Sequence, residues 1–149
     1  KKNNNDDLFK LIDLSRIGVI GHSFGGATVI VASYNDSRID ACINLDGWME
    51  PVIPEIIQSG LKIPFLYIGQ KEWYDTPLNH IKLDSLIMSS NGKKEIIDGA
   101  KHFDYSDTPH LNKVASKFDI SGDIDMDKLR MKINSDIVSF FNKNVKNIK

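Results

Sequence analysis

The chain has 149 residues, of which 41% are hydrophobic and 26% charged, with a formal net charge of -1. This is the make-up of an ordinary globular domain, long enough to bury most of its apolar surface. The near-zero charge, with no basic cluster beyond the pairs Lys1-Lys2 and Lys93-Lys94, argues against nucleic acid as a partner. A single cysteine, Cys42, excludes an intrachain disulfide, and no Cys/His spacing resembles a zinc site.

No apolar stretch is long enough to span a bilayer, and the opening KKNNNDDLFK does not read as a secretory signal. The compartment is therefore not readable from these residues. The Asn/Asp/Lys-rich residues 1–7 read as disordered. From Asp6 to Leu14, apolar residues at 8, 9, 11, 12 and 14 are compatible with a short amphipathic helix. Ile17 to Ile20 is a short apolar run ending at Gly21, expected to be a strand buried on both faces. FGGATVIVASY, Phe24 to Tyr34, reads as a helix lying close against a sheet, closed by a turn at Asn35-Asp36-Ser37.

Ile39 to Leu45 predicts a second strand, with Ile39, Ala41, Ile43 and Leu45 on one face and Cys42 as a small buried residue. IPFLYI, Ile63 to Ile68, predicts a third. Pro77 to Ser90 has Leu78, Ile81 and Leu86 or Ile87 at helical spacing. After the Asn91-Gly92 turn, Glu95 to Ile97 with its flanks predicts a fourth strand. Thr108-Pro109 reads as a cap with proline in the first helical turn. Asp127 to Val145 places Leu129, Ile133, Ile137 and Phe140 or Phe141 on one helical stripe. Strands alternate with helices, which predicts an α/β protein with a mainly parallel sheet of about four strands and right-handed crossovers.

Gly21-His22-Ser23-Phe24-Gly25 satisfies G-x-S-x-G between a predicted strand and a predicted helix, the context of a nucleophile elbow. A serine in so tight a turn predicts that side chains at both flanking glycines would collide with nearby backbone. The turn exposes the hydroxyl and aims the first helical N–H groups, Phe24 among them, where an oxyanion would form. Gly26 and Ala27 let the helix approach the sheet.

A serine hydroxyl is a weak nucleophile at neutral pH and needs a base, usually a histidine held by a carboxylate. Of four histidines, His22 is adjacent to the serine and is expected to point away from it as a structural residue. His80 and His110 fall in predicted helices and read as surface residues. His102, in DGAKHFDYSD after the last predicted strand, occupies the position of the base in an α/β-hydrolase. The acid is open between Asp46, at the carboxyl end of its strand, and Glu72 or Asp75 after the third strand.

GHSFGGATV, NLDGWMEP, FLYIGQKEW, the His102 loop and SGDID before the last helix resemble, in that order, the platelet-activating factor acetylhydrolases of the plasma and type II intracellular kind. The resemblance runs from Ile12 to Val145 and implies an α/β-hydrolase fold. It places the acid in the L-D-x-W segment, which matches Asp46. It implies that Ser23 attacks an ester carbonyl, that His102 relays the proton and that Asp46 orients the imidazole. Trp48 and Met49 would line the acyl pocket, or else be plain core residues. The implied activity is calcium-independent hydrolysis of short or oxidised sn-2 acyl groups of glycerophospholipids, without metal or organic cofactor.

Against the family's pattern, the early strands and the loop that donates a second oxyanion N–H are absent. The chain therefore reads as a single partial domain, residues 1–149, with an open apolar edge at Ile17 to Ile20. Loss of one oxyanion donor lowers turnover by roughly 10²–10³. Peripheral contact with membrane or lipoprotein surfaces is assigned by the resemblance to the missing half. Two alternatives stand beside this reading. One is another carboxylesterase on the same fold, of the dienelactone-hydrolase or polyester-cleaving type. The other is a non-catalytic remnant that acts only by association.

Overall fold

A computed structural model describes residues 11–111 and 121–146. The expected disorder of residues 1–7 lies outside them, as do residues 6–10 of the expected first helix. Its remainder, Leu11 to Leu14, is turn and loop, with Leu11 and Leu14 exposed.

Four strands follow in chain order: β1 (Ile17–His22), β2 (Ile39–Leu45), β3 (Phe65–Gln70) and β4 (Lys93–Ile97). They form one parallel sheet in the order β1-β2-β3-β4. Between them run α1 (Phe24–Asn35), α2 (Pro54–Ser59), the single turn α3 (Lys71–Tyr74) and α4 (Pro77–Ser90). A 3₁₀ turn (His102–Tyr105), the short α5 (Thr108–Leu111) and α6 (Met126–Phe141) complete the fold; α6 runs on into a π-helical turn, Asn142–Lys146. Thr108 is thus the first residue of α5.

The central strands are apolar at consecutive positions because both of their faces are covered. On one face Cys42, Phe65 and Tyr67 pack with Ala27 and Ile30 of α1, Ile56 of α2, and Leu83 and Leu86 of α4. On the other, Ile43, Leu45, Ile68 and Ile97 pack with Leu129 and Ile133 of α6. Burial raises the Cys42 thiol to about 11, as suits an inert core cysteine.

Three expectations are corrected. β1 alternates between half-buried and exposed, with Ile20 41% exposed, because it pairs only with β2 among the described residues and forms the sheet edge. The buried stripe of α4 is Asn79, Leu83 and Leu86; Leu78 and Ile81 face outward. Spacing put Leu78 and Ile81 on the buried stripe with Leu86 or Ile87; packing with Met49 and Ile57 keeps Leu86, adds Leu83 and turns the first two outward. β3 both starts and ends two residues later than its apolar run, so it ends on a polar residue, Gln70.

Candidate active site

Ser23 stands between the end of β1 and the start of α1 with φ 58° and ψ -123°, a left-handed conformation that side chains rarely adopt. The surroundings hold it there. Ser23 N–H donates to Leu45 O (3.1 Å), and Ser23 O accepts from Gly26 N–H (2.9 Å) and Trp48 N–H (3.1 Å). The elbow is thereby tied to the loop that follows β2. A Cβ at Gly21 would stand 2.1 Å from Gly25 O, so that glycine is required by the turn. Gly25 is different: a Cβ there meets nothing within 4 Å, contrary to the expected collision at both flanks. Gly26 carries the close approach instead, its Cβ direction blocked by Asn44 Oδ1 at 2.5 Å.

Asp46 follows the last residue of β2 and also has positive φ, 44°. Its N–H donates to Ile68 O (2.7 Å), which turns the carboxylate over the carboxyl ends of β2 and β3. The carboxylate is fully buried and well supplied with donors. Oδ1 accepts from Gln70 N–H (2.8 Å) and, at 3.5 Å, from the Tyr67 hydroxyl; Oδ2 accepts from Gln70 Nε2 (3.0 Å) and His102 Nδ1–H (2.6 Å). Burial and the nearby Asp46 charge push the Tyr67 phenol far up, so it acts there as a donor.

His102 opens the 3₁₀ turn after β4. Its second nitrogen, Nε2, accepts from Ser23 Oγ–H at 2.9 Å. The expected serine, histidine and Asp46 are therefore joined in one hydrogen-bonded line above the sheet. Glu72 and Asp75, the other carboxylates considered, are exposed on and after α3, with Asp75 paired to Lys71 at 2.8 Å. The turn that carries His102 is anchored by Asp104, whose buried carboxylate accepts from Lys101 N–H (2.8 Å), Ser121 Oγ–H (2.7 Å) and Gly122 N–H (2.9 Å).

His22 does not point away from the site. Its ring centroid lies 4.7 Å from that of His102, and its Nε2–H donates to the His102 carbonyl at 2.9 Å. Burial lowers its pKa below the usual 6.5, which keeps it neutral beside the second imidazole. The neighbours of a serine in a strand-turn-helix diverge in sequence logic, but a parallel sheet brings the β4 loop back over the end of β1.

Phe24 is 60% exposed and Trp48 39% exposed, with ring centroids 6.3 Å apart beside Ser23. The N–H of Phe24 belongs to the first turn of α1, whose donors have no intrahelical acceptor. Met49 is wholly buried, with its N–H donating to Asn79 Oδ1 at 2.8 Å, so it is a core residue and faces no open space. Gln70 and Trp73 were not singled out by sequence reasoning. Their signal was present only as the polar end of an apolar strand and an aromatic just beyond it. Among the described residues, no group of three or more His, Cys, Asp and Glu side chains is placed to hold a metal ion.

A parallel sheet flanked by helices, with a strained serine at a strand-to-helix elbow, defines the class as an α/β-hydrolase. The acylaminoacyl peptidase of Pyrococcus horikoshii shares this fold. It superposes on 99% of the chain with a TM-score of 0.65, at 16% identity and over 27% of its own length. The sequence pattern of platelet-activating factor acetylhydrolase, isoform II, matches residues 2–149, and the chain belongs to that family. The platelet-activating factor acetylhydrolase of Gallus gallus is 36% identical over 76% of this chain, and that of Bos taurus 33% identical over 90%. The chain spans 28% and 30% of the length of those two relatives.

Proposed function

We propose that the chain carries the nucleophile, base and acid of a serine ester hydrolase that removes short or oxidised sn-2 acyl groups from glycerophospholipids, of the 1-alkyl-2-acetylglycerophosphocholine esterase type. The observation that supports this reading is the continuous line from Asp46 Oδ2 through both nitrogens of His102 to Ser23 Oγ, at 2.6 and 2.9 Å. Family membership supports the substrate class.

In the proposed cycle Ser23 Oγ gives its proton to His102 Nε2 and attacks the sn-2 carbonyl. The oxyanion forms beside the Phe24 N–H, and Asp46 steadies the imidazolium through Nδ1–H. Collapse breaks the ester C–O bond. The leaving lysophospholipid oxygen takes the proton from Nε2, and the acyl group stays on Ser23. His102 then draws a proton from water, which attacks the acyl-enzyme carbonyl; collapse breaks the bond to Ser23 Oγ, which takes the proton back from Nε2 as the carboxylic acid leaves. The exposed Phe24 and Trp48 rings offer the acyl group an apolar wall.

The test is labelling with a fluorophosphonate probe, followed by turnover of short-acyl phospholipids against simple aryl esters. Labelling that disappears in Ser23→Ala, with the phospholipid preferred, supports the reading. Preference for aryl esters points to the carboxylesterase alternative. Labelling of neither protein points to the remnant.

A further inference from the structure

We propose that Trp73 is a positioning residue for His102, its indole face holding the imidazole between Asp46 and Ser23 and favouring that ring when it carries a positive charge. This rests on the assignment of His102 as the base. The Trp73 and His102 rings are stacked, with centroids 5.0 Å apart and planes at 21°. The other tryptophan, Trp48, has its ring against Phe24 instead.

What keeps Trp73 in place points the same way. Its indole N–H is buried and without a hydrogen-bond partner among the described residues. Among the described residues no polar contact of that nitrogen orients the ring, and the cost of leaving it unpaired is set against the stack on His102. The residue lies on α3, a single helical turn that directly continues β3 past Gln70. The strand that supplies two hydrogen bonds to Asp46 through Gln70 thus also supplies the surface under His102.

The chemistry gives that surface a directional effect. Proton transfer from Ser23 turns a neutral imidazole into an imidazolium, and an aromatic face attracts the cation more than the neutral ring. The contact therefore strengthens toward the transition state, where binding raises kcat. The titratable and charged groups around His102 are compatible with this. Asp46 faces it from the end of β2 and His22 from the end of β1, and the Tyr67 hydroxyl of β3 stands behind Asp46. Tyr105 stacks beyond His22. On α3, Lys71 is paired with Asp75 and Glu72 is exposed.

The experiment compares Trp73→Phe and Trp73→Leu with the parent chain by steady-state ester turnover across pH and by tryptophan emission. Trp73→Phe, which keeps an aromatic face, is expected to stay within about threefold of the parent. Trp73→Leu is expected to lower kcat about tenfold with KM unchanged. Its acid limb should also move to lower pH. Leucine matching phenylalanine, or a loss confined to KM, overturns the proposal.

Emission supplies a readout that needs no turnover, because a protonated imidazole quenches an indole stacked on it. A quenching step on acidification should be present in the parent and in His80→Gln, and absent in both His102→Gln and Trp73→Phe. A step that survives in His102→Gln overturns the stacking. A step that behaves as expected in a chain without esterase activity removes the functional reading and leaves the ring contact standing.

Discussion

At the scale of single residues, the site is a buried carboxylate surrounded by donors, and each donor has a measurable consequence. His102→Gln and Asp46→Asn are each expected to remove nearly all turnover, whereas Glu72→Gln and Asp75→Asn leave it intact; kcat/KM on one ester decides between them. Gln70 is the residue to add to that series. Replacing it by leucine strips Asp46 of the Nε2 donor but keeps the main-chain one. A hydrogen bond to a charged group contributes about 1.5–3 kcal/mol, so kcat should fall roughly 10- to 100-fold while the fluorophosphonate still labels Ser23 slowly. His22 sets a pH dependence of stability. Its folded pKa lies below the usual 6.5, with burial the main cause. The unfolded chain therefore takes up the proton first, and the contribution is present above about pH 6.5 and lost as pH falls through the folded value. Thermal unfolding followed from pH 7.5 downward should show a decline that is shallower in His22→Asn.

At the scale of elements, the elbow and the α6 start make contrasting demands on sequence. Gly21→Ala drives a Cβ to 2.1 Å from Gly25 O and must displace the turn that holds Ser23. Overpacking of this kind costs about 1–3 kcal/mol, and urea unfolding should report it together with a loss of probe labelling. Gly25→Ala meets nothing, and an exchange of glycine for alanine in a helix should leave the unfolding midpoint unchanged or raised. Asp125, in the SGDID stretch, caps α6 by accepting from the N–H groups of Asp127 and Lys128, both at 3.1 Å. Asp125→Ala should cost about 1 kcal/mol, read as a lowered unfolding midpoint with kcat unaffected.

At the scale of the whole molecule, two apolar clusters lie on opposite faces of one sheet, and the site sits above the strand ends that both clusters fix. The first cluster unites α1, α2 and α4; the second ties α6 and the His102 turn to β2, β3 and β4. Leu83, wholly buried at the centre of the first, is a direct probe of this coupling. Leu83→Ala should cost about 2–5 kcal/mol. Because Met49 and Asn79 belong to the same packing, the loss should be accompanied by weaker ester turnover at temperatures well below unfolding.

Much of this was legible in the chain. The four strands, α1, α4 and α6 follow from local periodicity and turn residues, and Ser23 and His102 from their places after strand ends, since those signals reside in contiguous residues. Asp46 was open against Glu72 and Asp75 on mechanics alone and was matched through kinship. Tertiary structure decided the rest: the register of α4, the alternating exposure along β1, the burial of Met49, the inward turn of His22, and the roles of Gln70 and Trp73. Each of these depends on which distant side chains a parallel sheet brings side by side. A periodic pattern tells which face of an element is apolar; only packing tells what that face, or a polar residue at its end, will meet.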